Sequence, residues 1–157
     1  MSSRSKRVLA EVRFYHLQRQ RLEEALPALL EKARERGFRI LVQAGSPERV
    51  KALDGLLWTY RPESFLPHGS GMASLSTAAD QPIWLTADEE NPNIADMLML
   101  VDGATADVTP YTLACEMFDG NDETAVAAAR QRWIEYKAAG HAMTYWQQGE
   151  RGWEKRA

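Results

Sequence analysis

Two β-α units in succession constrain this chain more than any other feature of it. In the first, "EVRFYHL" (Glu11 to Leu17) mixes aromatic and β-branched residues as a strand does, and "RLEEALPALLEKARERG" follows. There Leu22, Leu26, Leu29, Leu30 and Ala33 recur at helical spacing up to a closing Gly37. In the second, "FRILVQAG" is a short apolar run of the kind buried on both faces, and "SPERVKALDGLLWTY" offers Ser46 as N-cap and Pro47 at the first helical position. Further on, "QPIWLT", "ADMLMLVDG" and "YTLACEMF" read as strands. "DETAVAAARQRWIEYKAAG" reads as a helix ending at Gly140, and "HAMTYWQQ" as a last strand. The sum predicts an α/β fold, a three-layer α/β/α sandwich on a largely parallel or mixed sheet.

The chain has 157 residues and is 45% hydrophobic, which suits a single domain over 1–157 with a substantial core. The Gly, Ser and Ala content of "HGSGMASLSTAADQ" predicts a flexible loop at about 68–81. The start "MSSRSKRVLA" and the tail "GERGWEKRA" read as short extensions without an assigned role.

Several function classes lose their footing here. A formal charge of -3 argues against coating nucleic acid by bulk electrostatics, so little direct nucleic-acid binding is expected. One cysteine, Cys115, excludes an internal disulfide and, without His or Cys neighbours at ligand spacing, a zinc site, which fits a reducing cytoplasm. No run of eighteen apolar residues or signal-like start is present, so a soluble protein that does not engage a membrane is expected. No Gly-Lys-Ser/Thr phosphate loop occurs, "LMLVDG" reads as a buried strand with a turn, and "HLQRQRLEE" after the first strand holds no glycine for a dinucleotide fingerprint. No cofactor and no metal are expected.

Catalytic groups are equally sparse. His16, His68 and His141 lie far apart, Cys115 sits within an apolar strand, and the acidic "ADEENPN" reads as a solvated turn. No catalytic residue is assigned. The competing reading is an α/β enzyme that uses His68 or the acidic turn 88–90 in a pocket, and a convergence of His68, Asp88 and Glu89 around a cleft would favour it.

Two stretches remain unexplained by folding alone. "LWTYRPESFLPHG" sets Trp58, Phe65, Leu66 and Pro67 beside a loop, apolar surface that suits a protein partner. The plainer alternative has Trp58 closing the second helix onto the sheet and Phe65 plugging the core. On the last helix Val126, Arg130, Trp133 and Lys137 fall at i, i+4, i+7 and i+11, putting two cations and an aromatic on one stripe, while Ala125, Ala128, Ala129 and Tyr136 are free to pack inward. An acidic peptide ending in a hydrophobic residue suits such a stripe, the ring forming a floor and the arginine fork taking a carboxylate. A solvated face with a partly covered Trp is the alternative.

Together these stretches resemble the chi subunit family of bacterial DNA polymerase III. The likeness runs through "FYHL", "LDGLLWTYRPESFLPHG", "QPIWLT" and "CEMFDGNDETAVAAARQRWIEYKAAGHAMTYWQ", and the Leu-Trp to Ser-Phe-Leu-Pro-His segment is its most specific part. The resemblance implies a noncatalytic clamp-loader accessory that joins the psi subunit to the acidic, phenylalanine-terminated tail of single-stranded DNA-binding protein (SSB). It places Trp58, Phe65, Leu66, Pro67 and His68 on the surface for psi or a helicase-like alternative. It places Arg130, Trp133, Tyr136 and Lys137 at the SSB-tail site, with Phe118 near its edge. One position that the family often fills with lysine is Val126 here, which implies a weaker grip or one shifted to Arg132.

Overall fold

The computed structural model describes residues 10–60, 67–70 and 75–157. In chain order these form β1 (Glu11–Leu17), α1 (Leu22–Glu35), β2 (Ile40–Gln43), α2 (Pro47–Thr59) and β3 (Gly69–Ser70). A 3-10 helix (Leu75–Asp80) leads to β4 (Ile83–Thr86), β5 (Met97–Leu100), β6 (Leu113–Asp119), α3 (Glu123–Ala138), β7 (Ala142–Gly149) and β8 (Gly152–Lys155). The eight strands make one sheet in the order β3-β4-β2-β5-β6-β1-β7-β8. Every neighbouring pair is parallel except β7 and β8. The α/β architecture expected from the alternating pattern is therefore present.

Period-2 alternation divides the strands between two cores. Tyr15, Leu17, Val42, Leu85, Met99, Cys115 and Met117 face α1 and α2, where Leu26, Leu30, Val50, Leu53 and Leu57 meet them. Val12, Phe14, Leu41, Trp84, Leu98, Ala114 and Phe118 face the other way, toward Ala129 of α3 and the loops around Val108 and Tyr111. Both faces of the central strands are thus covered, as continuous apolar runs such as "ILV" and "MLML" require. Cys115 is fully buried, and burial pushes its thiol up to about 12, so it packs as a small hydrophobe.

The helix ends follow local chemistry. Ser46 Oγ accepts the Arg49 amide 3.2 Å away at the start of α2. Asp122 Oδ1 accepts the amides of Thr124 and Ala125 at the start of α3. Gly37 and Gly140, just past α1 and α3, both adopt φ +90, where a side chain would be strained.

Two further regions carry local structure. Within the segment 68–81, Gly69–Ser70 pairs with β4 and residues 75–80 form a 3-10 helix, and Trp84 and Gln81 approach Gly69 too closely for a side chain to fit there without a shift. The tail, given no role from sequence, folds back as β8 against β7 through a two-residue turn at Glu150 and Arg151, and its Trp153 packs edge-on to Tyr15 at 4.9 Å.

Candidate functional site

The chain crosses from β1 to β2 in one direction and from β6 to β7 in the other, so β1 and β6 flank the point where the winding of the sheet reverses. Open α/β sheets commonly bind ligands beyond the strand ends at such a point. A crevice of about 660 Å³ lies there, lined by the 18–21 loop, Asp119 and Asn121 after β6, Arg49 and Asp102, and the flank of α3 that carries Arg132. Its polar groups are largely engaged within the chain. The successive amides of Gln18, Arg19 and Gln20 all donate to Gln148 Oε1 at 2.9 to 3.0 Å. Arg49 pairs with Asp102 and Glu23, tying α2 to β5 and α1.

On α3 the residues divide by angle around the helix. Arg130 and Arg132, two positions apart, point about 200° away from each other. Arg132 Nε stands 2.5 Å from Oε1 of buried Glu116, whose other oxygen accepts the Tyr136 hydroxyl at 2.8 Å. Burial raises the Glu116 carboxyl pKa, opposed by Arg132 and Tyr136, while burial followed by the nearby Glu116 charge raises that of Tyr136. Arg132 is thus committed to neutralising an internal acid.

Arg130 occupies the opposite flank. It is exposed and, among the described residues, has no hydrogen bond or ion pair, and exposed Lys137 lies two turns further along the same stripe. Trp133 and Tyr136 are half-buried and pack inward together with Ala129: the Trp133 ring meets Phe14 at 5.4 Å and Tyr145 at 5.8 Å, both edge-on, and Tyr136 meets Phe14 at 6.0 Å. Phe118, expected at the rim, is 6% exposed and belongs to the core beneath, touching Phe14, His16 and Tyr145. Half-buried Val126 packs against the same cluster.

Two further residues complete this surface, and sequence reasoning did not assign them to it. His16 Nδ1 lies 2.6 Å from the Tyr145 hydroxyl, and both rings pack on Phe118. Burial, then the Arg130 charge, lowers the His16 pKa, with Asp119 pulling the other way. Burial raises that of Tyr145, against a lowering pull from Arg130. The only sequence signal was period 2: His16 shares the face of Val12 and Phe14, and only the pairing of β1 with β7 brings Tyr145 alongside.

The second expected surface is partly described. Trp58 is 54% exposed near the end of α2 and stacks at a tilt on His68, 4.3 Å between ring centres; Pro67 is exposed. His68 is 3% exposed with Nε2 3.2 Å from Asp54 Oδ1, beneath Trp58. Phe65 and Leu66 lie outside the described residues. The acidic turn has its own set of contacts. Glu90 accepts the Thr86 hydroxyl, Glu89 accepts the Asp107 amide and the Asp88 amide donates to Thr86, in contacts that serve the loop itself. His141 Nδ1 accepts the Ala10 amide. Among the described residues no helix is long and apolar enough to cross a membrane.

A mostly parallel α/β sheet whose last helix shows an uncommitted arginine beside a bed of aromatic rings defines a domain with a cationic, aromatic helix surface. Residues 9–144 match the family described as "DNA polymerase III chi subunit, HolC", and the chain belongs to that family. It is also 31% identical over 87 residues to a protein of Rickettsia prowazekii (strain Madrid E) described as "Probable DNA polymerase III subunit chi". That match covers 55% of this chain and 52% of the other, so the chain spans about half the length of this curated relative.

Proposed function

We propose that this protein is a noncatalytic accessory subunit that links the DNA polymerase III clamp loader, through the psi subunit or a helicase-like alternative, to the acidic C-terminal tail of SSB during replication in the cytoplasm. Family membership supports the replication setting. The observation that carries the tail-binding part is Arg130. An arginine with no internal partner among the described residues, beside half-buried Trp133 and Tyr145 and on one stripe with Lys137, offers a fork to a carboxylate and apolar surface to a terminal phenylalanine.

Trp58 and Pro67, both exposed and far along the chain from α3, support a separate surface for the second partner, to which we also assign Phe65, Leu66 and, as a buried support, His68. With a net charge of -3, the protein reaches DNA through SSB and has little direct affinity for single strands.

Titration with an acidic peptide ending in phenylalanine tests the reading. Arg130→Ala should cost about 1.5 to 3 kcal/mol of binding, and added salt should weaken the wild-type complex. Unchanged affinity in Arg130→Ala overturns the site. Phe65→Ala, checked for folding, should lose capture of psi or its substitute and keep the peptide; loss of neither means that the partner docks elsewhere.

A further inference from the structure

We infer that the Tyr145 hydroxyl, oriented by His16, is a second hydrogen-bond donor to the peptide carboxylate that Arg130 receives, so that the two form a clamp selective for a free C-terminus. The inference rests on the tail-binding reading above and names residues to which that reading gives no role.

The proton positions follow from what surrounds the His16 ring. Nδ1 is 2.6 Å from the Tyr145 oxygen, while Nε2 is buried and, among the described residues, has no hydrogen-bond partner. What Nε2 faces is Gly120: a Cβ built there would run into Nε2 and Cδ2 of the ring, so the hydrogen that occupies that direction on the glycine points at the nitrogen. A ring lone pair accepts such a C–H contact, whereas an N–H would meet it head-on and would also be a buried donor left unsatisfied. The imidazole proton therefore sits on Nδ1 and is donated to the Tyr145 oxygen.

A tyrosine oxygen that accepts from His16 keeps its own hydrogen for another acceptor. Arg130 stands one helical turn before Trp133, whose ring meets that of Tyr145 at 5.8 Å, so a carboxylate held by its guanidinium is received on the side of α3 that packs over Tyr145. Phe118 fixes the pair by packing against His16 at 5.1 Å and Tyr145 at 6.1 Å between ring centres. His16 is thus a positioning residue, and Tyr145 makes the contact.

The test compares one acidic peptide ending in phenylalanine as the free acid and as the C-terminal amide. Wild type should prefer the acid. Tyr145→Phe keeps the packed ring and should bind the acid about tenfold more weakly with little change for the amide, so that the preference shrinks. His16→Leu should shrink it as well, while His16→Asn, whose amide can stand in for the Nδ1 donor, should restore it, a difference that a purely structural role would not produce. Thermal melting of each variant confirms that it is folded. An acid-over-amide preference in Tyr145→Phe equal to wild type, with Arg130→Ala still defective, overturns the clamp and leaves the tail-binding reading standing. Failure of wild type to bind either peptide overturns both.

Discussion

The guanidinium of Arg132 and the carboxylate of Glu116 meet at 2.5 Å between α3 and β6, with only 14% and 3% of their side chains exposed. Removing one partner of such a pair leaves a charge in the interior that water cannot reach. We expect Arg132→Ala to lose about 3 kcal/mol of stability in urea unfolding, and Arg132→Met combined with Glu116→Leu to regain much of it. The peptide affinity of any folded fraction should change little, since Arg132 lies on the flank opposite Arg130.

The same acid sets a pH dependence. Burial holds the folded-state pKa of Glu116 above the 4.5 of a free glutamic acid, so the native chain binds this proton more tightly than the unfolded chain. Its contribution to stability is fully present below the unfolded value and is lost as pH rises through the folded one. Urea midpoints of wild type and Glu116→Gln, followed upward from pH 4.5, should show wild type losing stability relative to the variant. Wild type gaining stability relative to Glu116→Gln as pH rises would refute this assignment.

Trp133 and Arg130 should separate stability from binding. The Trp133 ring is wedged between Phe14 and Tyr145 but is half-exposed, so Trp133→Ala should cost about 2 kcal/mol, below the range for a fully buried tryptophan. Exposed Arg130 has no internal partner among the described residues, and Arg130→Ala should melt within about 0.5 kcal/mol of wild type. Chemical denaturation of both variants beside peptide titration reads the two effects independently.

The sequence made the sheet legible because the signals were local. Ser46-Pro47 starts α2, Gly37 and Gly140 end α1 and α3, and apolar runs mark β2 and β5, each readable within a few residues. The stripe on α3 was likewise legible from helical spacing, but spacing could not tell that Trp133 leans inward onto Phe14 or that Arg132 answers Glu116 on β6. Those facts depend on which strand lies under the helix. His16 with Tyr145, and the 18–20 loop with Gln148, join residues about 130 positions apart through the pairing of β1 with β7, and no short-range pattern carries that information. The β8 hairpin did carry a local cue, Gly149 and Gly152 around a two-residue turn, which a tail rich in charges obscured.

The tautomer assigned to His16 has its own spectroscopic check. Nitrogen chemical shifts should place the proton on Nδ1, and the ring should titrate below 6.5 because burial and the Arg130 charge disfavour the cation. As pH falls through 6.5 the unfolded chain takes up this proton first, so stability from this group is lost toward acid pH. Gly120→Ala should displace the ring, since the new Cβ would run into Nε2 and the Leu17 carbonyl, at a cost of about 1 to 3 kcal/mol. A native-like His16 spectrum in that variant would contradict the packing described.

Gln148 offers the sharpest test of how the crevice is built. Its side-chain oxygen accepts three consecutive amides, from Gln18, Arg19 and Gln20, and its side-chain nitrogen donates to Gln20 Oε1 at 2.8 Å, although the residue is only 7% exposed. An α/β fold without a glycine-rich turn after β1 thereby satisfies the amides that such turns offer to phosphates, using a side chain from a neighbouring strand. Gln148→Ala removes the shared acceptor and should destabilise the protein by about 2 kcal/mol, less than three fully buried donors would cost, because water can enter the crevice. The local readout is more specific than the global one. Hydrogen exchange at the amides of residues 18–20 should accelerate well beyond the change at β6, which keeps its ladder to β1. Equal acceleration throughout the sheet would mean that Gln148 supports the fold generally, and would sink its assignment as the acceptor that holds this loop closed.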